Sequence, residues 1–588
     1  MTKKTAVILG AGPSGLAAAY ELLNGGFNAV VLEKTEKVGG IARTENFNGY
    51  YFDVGGHRFF TKIEEIRKTW QETLGDDLIR VNRKSRIHYK DRLINYPLNV
   101  MNALSNLGAI EGFLVLMSYF KAQILPCGEE ENFEQWVSNR FGHRLYETFF
   151  QTYTEKVWGI PCNQIGADWA AQRIKGLSLM TALSDALFGG QRAKTLLREF
   201  HYPLKGSGMF WQRFCDRIVA KGGEVRLEAE AESLRHEGPY ITGIGVVHKG
   251  KIGTMPVDQV ISTIPLQKLV AILEPRAPGR IIEASLGLAY RSFVMVGLIL
   301  SRARVFPDQW IYVHDKRVRV GRIQNFKNWS SAMVPDLQKT SLGMEYFCTE
   351  GDEIWCMSED ELTHMASEEI GKLGLAHEAD VLDSFVVKQP KAYPVYDRSY
   401  DKHLGVIREY LEEFANIQTV GRNGMHRYSN MDLAMHSGML AARNIMGAHH
   451  DLWENAGDDN YLEAESRPEH SKIKREKALV QVFARMDKFA FGMAVGTASG
   501  LLLFLATIWL ILKGGENVGA NLQLLSQYFP GYTVTLRGAF VGLGYGLLWG
   551  FLMGWFFAYL RNLFIALYAY RVRKRSEWLS LGRFFDQL

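Results

Sequence analysis

The hydrophobic pattern changes period several times along the chain, and each change predicts an element. A β-branched run, Ala6-Val7-Ile8-Leu9, reads as a strand; Leu16 to Leu23 reads as a helix, and Asn28 to Leu32 as a second strand ending at Glu33. Within residues 132–177, Phe133, Trp136, Val137, Phe141 and Leu145 recur at helical spacing and predict one buried face. Val260 to Ile264 reads as a strand returning to the first sheet. Val294 to Leu300 and Trp310 to Val313 read as strands of a second, mixed sheet. Ile417 to Val420 reads as a strand that leads into a helix beginning near Asn430. Near the C-terminus, Phe489 to Leu512 and Gly538 to Leu560 run without a charge and are each long enough to cross a bilayer.

The turn between the first strand and helix, Gly10-Ala11-Gly12-Pro13-Ser14-Gly15, changes this from a generic α/β start to a nucleotide-binding one. Strand, glycine turn, helix, strand and acid together form the dinucleotide fingerprint in its required context. Gly10 permits the tight turn, Gly12 lets a pyrophosphate approach the backbone, and Gly15 lets helix and strand pack closely. The helix N-terminus near Ser14 offers free N–H groups to phosphate, and Glu33 can accept from ribose hydroxyls. Two further glycine pairs, Gly39-Gly40 ahead of Arg43 and Gly55-Gly56 ahead of His57, would let backbone lie flat against a long ligand. They point to FAD rather than a nicotinamide dinucleotide. Only one fingerprint is present, so the electron donor that reduces the flavin is unidentified.

With 588 residues the chain can hold two or three domains. A net charge of +5 is small for that length and implies no nucleic-acid role. Cys127, Cys162, Cys215, Cys348 and Cys356 are widely spaced, which suits a reducing compartment and argues against a metal site. No signal peptide precedes the first strand, so the catalytic part is expected in the cytoplasm. Lys472, Lys474, Arg475, Lys477, Arg485 and Lys488 precede the first apolar span, and Arg571, Arg573, Lys574 and Arg575 follow the second. Both ends are therefore expected on the cytoplasmic side, giving a two-span protein of the cytoplasmic (inner) membrane with the lipid bilayer as a partner. Gly492, Gly496 and Gly500, and Gly538, Gly542, Gly546, Gly550 and Gly554, give each span a flat stripe. The stripes can serve the hairpin itself or a homo-oligomer. The stretch from Asp451 to Glu469 reads as a solvated linker, and Leu563 to Tyr570 as a tail lying along the membrane interface.

The glycine segments resemble the flavoprotein superfamily of amine oxidases, protoporphyrinogen oxidases, phytoene desaturases and UDP-galactopyranose mutases. The middle of the chain narrows the resemblance to the mutases. Lys156-Val157-Trp158-Gly159-Ile160-Pro161, then Asp168-Trp169 and Gln172-Arg173, is similar to their substrate domain. Tyr96-Pro97-Leu98-Asn99 resembles their Tyr-Pro loop, and Arg322 in Gly321-Arg322-Ile323-Gln324-Asn325-Phe326 falls where they carry an arginine. Ala392-Tyr393-Pro394, and Gly421-Arg422-Asn423-Gly424 with Arg427-Tyr428 and Asn430-Met431-Asp432, are similar to two further segments. Leu98, Asn99 and the run Asn430 to His436 depart from the mutase pattern, which leaves the nucleotide and the ring contacts open.

The resemblance implies a redox-neutral interconversion of pyranose and furanose forms of a nucleotide-sugar or polyprenyl-diphosphate sugar, catalysed covalently through N5 of reduced FAD. It implies that Arg173 and Arg322 clamp the diphosphate, that Tyr393 and Tyr428 donate hydroxyls, and that His57 lies beside the flavin. Tyr96, Asn99, Trp158 and Arg422 complete the implied substrate set. Gly10, Gly12, Ser14, Gly15, Glu33, Gly40, Arg43, Gly55, Gly56, His57, Gly421, Arg422, Asn430, Met431 and Asp432 form the implied cofactor set. A membrane-associated FAD oxidoreductase is the alternative. The expected fold is a Rossmann-like, doubly wound α/β FAD domain assembled from residues 1–95, 204–275 and 404–450. A mainly helical domain (96–203), a mixed-sheet substrate domain (276–403), a linker (451–488) and a two-span transmembrane hairpin with a basic tail (489–588) complete it.

Overall fold

The computed structural model describes residues 4–96, 106–167, 199–455, 486–514 and 519–585. It divides into two compact units, Met1–Ser466 and Arg467–Leu588. In the first unit a five-stranded parallel sheet runs in the order Ile417–Thr419, Gln259–Ser262, Thr5–Leu9, Asn28–Leu32, Glu224–Arg226. Its strands come from three distant stretches of the chain. The apolar run of the first strand has a simple cause: Ala6 and Ile8 pack into one core, Val7 and Leu9 into the other. A parallel sheet covered on both faces needs apolar residues at every position.

On one face lie the helices Pro13–Asn24, Ser207–Ala220 and Met431–Ile445. The first and last approach so closely at Gly438 that a Cβ there would stand 2.0 Å from the Ser14 carbonyl oxygen. A four-stranded sheet, from Ala229–Glu237, Tyr240–His248, Lys251–Pro256 and Leu273–Glu274, contributes to the core on the other face.

The mixed sheet has seven strands, in the order Val381–Pro394, Tyr290–Leu300, Thr340–Cys348, Arg322–Asn325, Trp310–Val313, Ser85–Tyr89, Arg92–Tyr96. Its last two strands form a hairpin that the sequence grouped with the nucleotide-binding segment 1–95. The hairpin joins the mixed sheet by parallel pairing of Ser85–His88 with Trp310–Val313. Its Ile87 and Ile94 sit in the core of the helical layer.

In that layer the helix Phe133–Phe141 is capped by Asn132, whose Oδ1 accepts from the Gln135 N–H at 3.0 Å. Gly142 (φ +84°) breaks the helix. No larger residue fits, because a Cβ would lie 2.7 Å from the Tyr119 backbone nitrogen. His143–Tyr146, a π-helical turn Glu147–Gln151 and Thr152–Trp158 follow. All five periodic residues of the helical pattern are buried.

The second unit contains two helices long and apolar enough to cross a membrane, Lys488–Lys513 and Leu536–Phe564, with mean hydropathy 2.1 and 1.5. Asp487 caps the first by accepting from the Phe489 and Ala490 N–H groups. The glycine stripes face each other: a Cβ on Gly546, Gly550 or Gly554 would stand 2.6, 2.8 or 3.0 Å from the Cα of Gly500, Gly496 or Gly492. The stripes are thus used within the hairpin. A buried hydrogen bond joins the Thr507 and Tyr532 hydroxyls at 2.7 Å. Asn562 clamps the Met486 backbone, donating to its carbonyl at 2.8 Å and accepting from its N–H at 3.0 Å. The expected separate tail over Leu563–Tyr570 is not a distinct segment. The second helix continues unbroken from Leu536 to Phe585, since no proline interrupts that stretch.

Candidate active site

Three adjoining regions of the first unit hold the residues singled out in the sequence. The nucleotide region is built by the turn after the strand Thr5–Leu9. Gly10 adopts φ +102°, and a Cβ on Gly15 would fall 1.9 Å from the Gly10 carbonyl oxygen. Gly12 differs: a Cβ there meets nothing nearer than the Gly40 Cα at 4.0 Å. Two glycine backbones therefore face each other where a pyrophosphate needs to approach. Glu33 is buried at the end of the second strand. Its Oε2 accepts from the Ala11 N–H at 2.9 Å, and its Oε1 from the Thr35 N–H and hydroxyl at 3.0 and 2.8 Å. These bonds fix the carboxylate, and each oxygen keeps lone-pair capacity for a ribose hydroxyl. Arg43 donates to the Gly40 carbonyl at 3.1 Å and to Gln389 Oε1 at 2.6 Å, and pairs with Glu45 at 2.7 Å.

The second region is the loop Val54–His57. It is anchored by Asp53, which accepts from the Thr44 and Tyr202 hydroxyls at 2.5 and 2.6 Å and from the Ser207 N–H at 3.0 Å. Burial raises Asp53 to about 6 despite those donors. Gly55 has φ +101°, and Gly56 lies flat on Gln324, whose Nε2 would be 2.6 Å from an added Cβ. His57 Nε2 donates to the Val54 carbonyl at 3.0 Å. Burial pushes the ring down to about 4, and the charges of Arg422 and Arg322 add to the push, so it is neutral at physiological pH.

The third region centres on Arg322. Its Nε and Nη2 both reach Glu345 Oε2, at 2.7 and 2.6 Å, while Gln324 Nε2 donates to Oε1 at 3.1 Å. Glu345 is fully buried in the strand Thr340–Cys348. Arg322 Nη1 carries no protein bond among the described residues. Tyr153, Tyr312 and Tyr393 lie near enough to the guanidinium to act on it electrostatically. Burial pushes Tyr393 up to about 12, so its phenol stays a donor. Tyr428 stacks on Tyr393 with centroids 5.9 Å apart, and the Arg422 guanidinium lies 4.3 Å over the Tyr428 ring. Trp158 packs edge-on to Tyr393 at 6.5 Å, and Tyr96 to Tyr312 at 5.0 Å.

The structure thus brings His57, Arg322, Arg422, Tyr393, Tyr428 and Trp158 to one wall, with Tyr96 joined to it through Tyr312. Arg422 differs from Arg322: its Nη1 and Nη2 are spent on the Ala392 and Ser429 carbonyls at 3.1 and 2.7 Å. Gly421 (φ +78°) sits against Ser14, joining the C-terminal segment to the nucleotide turn. Asn430 precedes the helix Met431–Ile445 without a side-chain capping bond. Arg173 and Asn99 lie outside the described residues.

Sequence reasoning missed Glu345, Gln324, Tyr153 and Tyr312. The signal for Glu345 was a lone carboxylate inside an otherwise apolar strand. Lys156, part of the mutase-like stretch, instead donates to the Asp315 and Val320 carbonyls at 2.7 and 3.0 Å. The residues present fit FAD: the Gly12–Gly40 cradle would be filled by any Cβ, and Gln324 Oε1 is a buried acceptor beside Gly56 without a partner among the described residues.

Among solved structures, that of a reduced UDP-galactopyranose mutase superposes with a TM-score of 0.68 at 19% identity, over 79% of this chain and 99% of that one. A protein of Exiguobacterium sp. assigned as a protoporphyrinogen oxidase gives 0.59 at 18% identity, over 76% and 99%. Putrescine oxidase bound to putrescine gives 0.51 at 16% identity, over 76% and 99%. These likenesses concern the fold. Among curated proteins, an L-amino-acid oxidase of Sistrurus catenatus edwardsii is 45% identical over 65 residues, 11% of this chain and 13% of its own length. Protoporphyrinogen oxidase 2 of Arabidopsis thaliana is 28% identical over 159 residues, 24% of this chain and 30% of its own length. Residues 13–446 match the family of flavin-containing amine oxidoreductases, and the chain belongs to that family as a flavin-dependent enzyme that uses FAD.

Proposed function

We propose that the protein is a membrane-anchored sugar mutase that interconverts pyranose and furanose forms of a nucleotide- or lipid-diphosphate sugar. The observation that carries the reading is the Arg322–Glu345 pair within a ring of tyrosines, beside the loop that ends at His57. An apolar substrate gains nothing from such a wall; a diphosphate does. Arg322 is held by Nε and Nη2, which leaves Nη1 as a preorganised donor for a phosphate oxygen. Donors fixed in advance stabilise the charge that develops on a departing diphosphate without reorganising. The Tyr393 and Tyr428 hydroxyls supply neutral donors to the same group. Arg422, stacked on Tyr428, adds positive field while its own N–H groups stay on backbone carbonyls.

When bound and reduced, FAD supplies the nucleophilic nitrogen for the anomeric carbon. His57 contributes a neutral ring whose Nε2–H is committed to Val54, so it orients the loop rather than donating a proton. The likeness to a reduced UDP-galactopyranose mutase over 79% of the chain supports the reading at the level of fold. The apolar helices Lys488–Lys513 and Leu536–Phe564 support a hairpin in the cytoplasmic membrane, with both flanks and the catalytic unit in the cytoplasm. The electron donor comes from outside the chain.

The test is turnover in the complete protein under anaerobiosis, comparing reduced with oxidised enzyme on UDP-galactopyranose and on a polyprenyl diphosphate galactose. Ring-form conversion by the reduced enzyme alone, with no acceptor consumed, is expected. Substrate loss coupled stoichiometrically to oxygen or quinone would make the protein an oxidoreductase.

A further inference from the structure

The helix Ala109–Ile124 carries more apolar surface than its place in the fold uses. Its inner side is supplied by Gly112, Val115 and Tyr119, which are buried in the helical layer. The opposite side exposes Ile110, Phe113, Leu114, Met117, Phe120 and Ile124, with Leu125 just beyond; Ile110 is 81% and Ile124 76% exposed. At 1.5 Å per residue the stripe is about 22 Å long. Spacings of three and four keep it on one face, and Lys121 is the single charge within it. A helix apolar on both sides has a second apolar environment to meet, and an unbroken stripe of this kind on a monomer marks an interaction surface.

We propose that this face docks the catalytic unit onto the lipid bilayer. The occupant follows from the rest of the chain. The same polypeptide carries two helices long and apolar enough to cross a membrane, so a bilayer is the apolar phase at highest local concentration. Charge at the rim agrees. The helix's one carboxylate, Glu111, is neutralised by Arg144 through two bonds, at 2.6 and 2.9 Å. Lys90 adds its charge beside Glu111, and Arg92 donates to the Asn106 carbonyl, three residues ahead of the helix. Lys121 stands within the stripe, so the face suits anionic headgroups around an apolar insertion. The inner side of this helix shares its core with Trp158, against which Tyr96, Tyr312 and Tyr393 also pack. Docking would bring a lipid surface one helix away from the proposed sugar site.

The inference rests on the membrane reading given above, and its test separates the two. The full chain, with Cys127 and Cys356 changed to serine, receives Met117→Cys or, as a control on a different sheet, Ile252→Cys. Each is labelled with an environment-sensitive fluorophore and reconstituted into vesicles of phosphatidylethanolamine and phosphatidylglycerol. Ile252 is 87% exposed. Expected are co-flotation with the vesicles and a drop of about half in emission at 117 when lipids carry a nitroxide near the headgroup, with little change at 252. Flotation without quenching at 117 overturns the docking face and leaves the hairpin standing. Failure to float overturns the membrane reading and the docking with it. A blue shift at 117 that grows with protein-to-lipid ratio and ignores the nitroxide assigns the face to a second copy and refutes the proposal. If Met117→Cys does not retain flavin, Ile124→Cys reads the same surface.

Discussion

Replacing Arg322 by methionine removes the proposed phosphate donor and strands Glu345, whose buried carboxylate otherwise accepts, among the described residues, only from Gln324 Nε2 at 3.1 Å. Breaking one side of a buried ion pair costs about 3–5 kcal/mol, because the remaining charge keeps its desolvation penalty without its partner. For the first unit, Met1–Ser466, an unfolding entropy of about 2.1 cal/mol/K per residue gives roughly 1 kcal/mol per degree. The single variant should therefore melt about 3–5 °C lower, by differential scanning fluorimetry of the detergent-solubilised holoenzyme. Replacing both residues, Arg322→Met with Glu345→Met, removes both penalties and should bring the melting temperature back to within about 1–2 °C of the parent. Neither variant should turn over substrate, since Nη1 is gone from both. An undiminished melting temperature in Arg322→Met would refute the buried pair. Activity in the double variant would refute Arg322 as the diphosphate donor.

Gly12→Ala and Gly15→Ala should separate binding from folding. The methyl added by Gly15→Ala strikes the Gly10 carbonyl oxygen at 1.9 Å and impairs both, whereas the methyl added by Gly12→Ala has 4.0 Å of room and should weaken only FAD. Apoprotein melting and flavin titration check this, and unimpaired FAD binding by Gly12→Ala would remove the pyrophosphate from that position. Burial holds His57 and His426 at about 4 and His314 at about 3, below their ordinary 6.5, so their contribution to stability is full above that pH and fades as pH falls through 4. Asp53, raised from 3.8 to about 6, runs the other way and loses its contribution as pH rises through 6. For His426, 0% exposed, the shift is worth up to about 3 kcal/mol, so His426→Phe should flatten the loss of stability between pH 6.5 and 4; an unchanged profile contradicts this. In the hairpin, Val495→Cys and Gly554→Cys should cross-link, and Gly496→Leu should suppress the cross-link while Gly544→Leu leaves it intact, because Gly496 faces the Leu547 carbonyl at 2.6 Å and Gly544 has nothing within 4 Å. Equal cross-linking in both would mean the stripes do not pack together.

The nucleotide half of the site was legible in sequence because its physics is local. Gly10, Gly12, Gly15 and Glu33 lie within one strand–turn–helix–strand unit, and their spacing alone dictates the turn. The apolar spans were legible for a similar reason, since length and missing charge decide them. The wall around Arg322 was legible only in part: the resemblance pointed to His57, Trp158, Arg322, Tyr393, Arg422 and Tyr428, but the partner that holds Arg322 is tertiary. Glu345 reaches Arg322 only when the strands Arg322–Asn325 and Thr340–Cys348 pair with those two residues opposite one another. Arg422 illustrates the limit of motif reading: its position was legible, but the carbonyls of Ala392 and Ser429 that take its N–H groups were not. The hairpin Ser85–Tyr96 followed the nucleotide segment in sequence yet joins the mixed sheet, because Trp310–Val313 offers it a parallel edge. The use of the glycine stripes within one hairpin also needed three dimensions, as either helix alone presents the same flat face to any partner.

In the proposed reaction, reduced flavin and a diphosphate sugar combine in this site without net oxidation. The most direct measurement incubates the dithionite-reduced, detergent-solubilised protein with UDP-galactopyranose or a polyprenyl diphosphate galactose under strict anaerobiosis, then adds cyanoborohydride and weighs the extracted flavin. A flavin heavier by one sugar is expected, with the increment lost in Arg322→Met at equal flavin occupancy. Unmodified flavin with every donor, together with flavin reoxidation coupled to substrate loss, would contradict it.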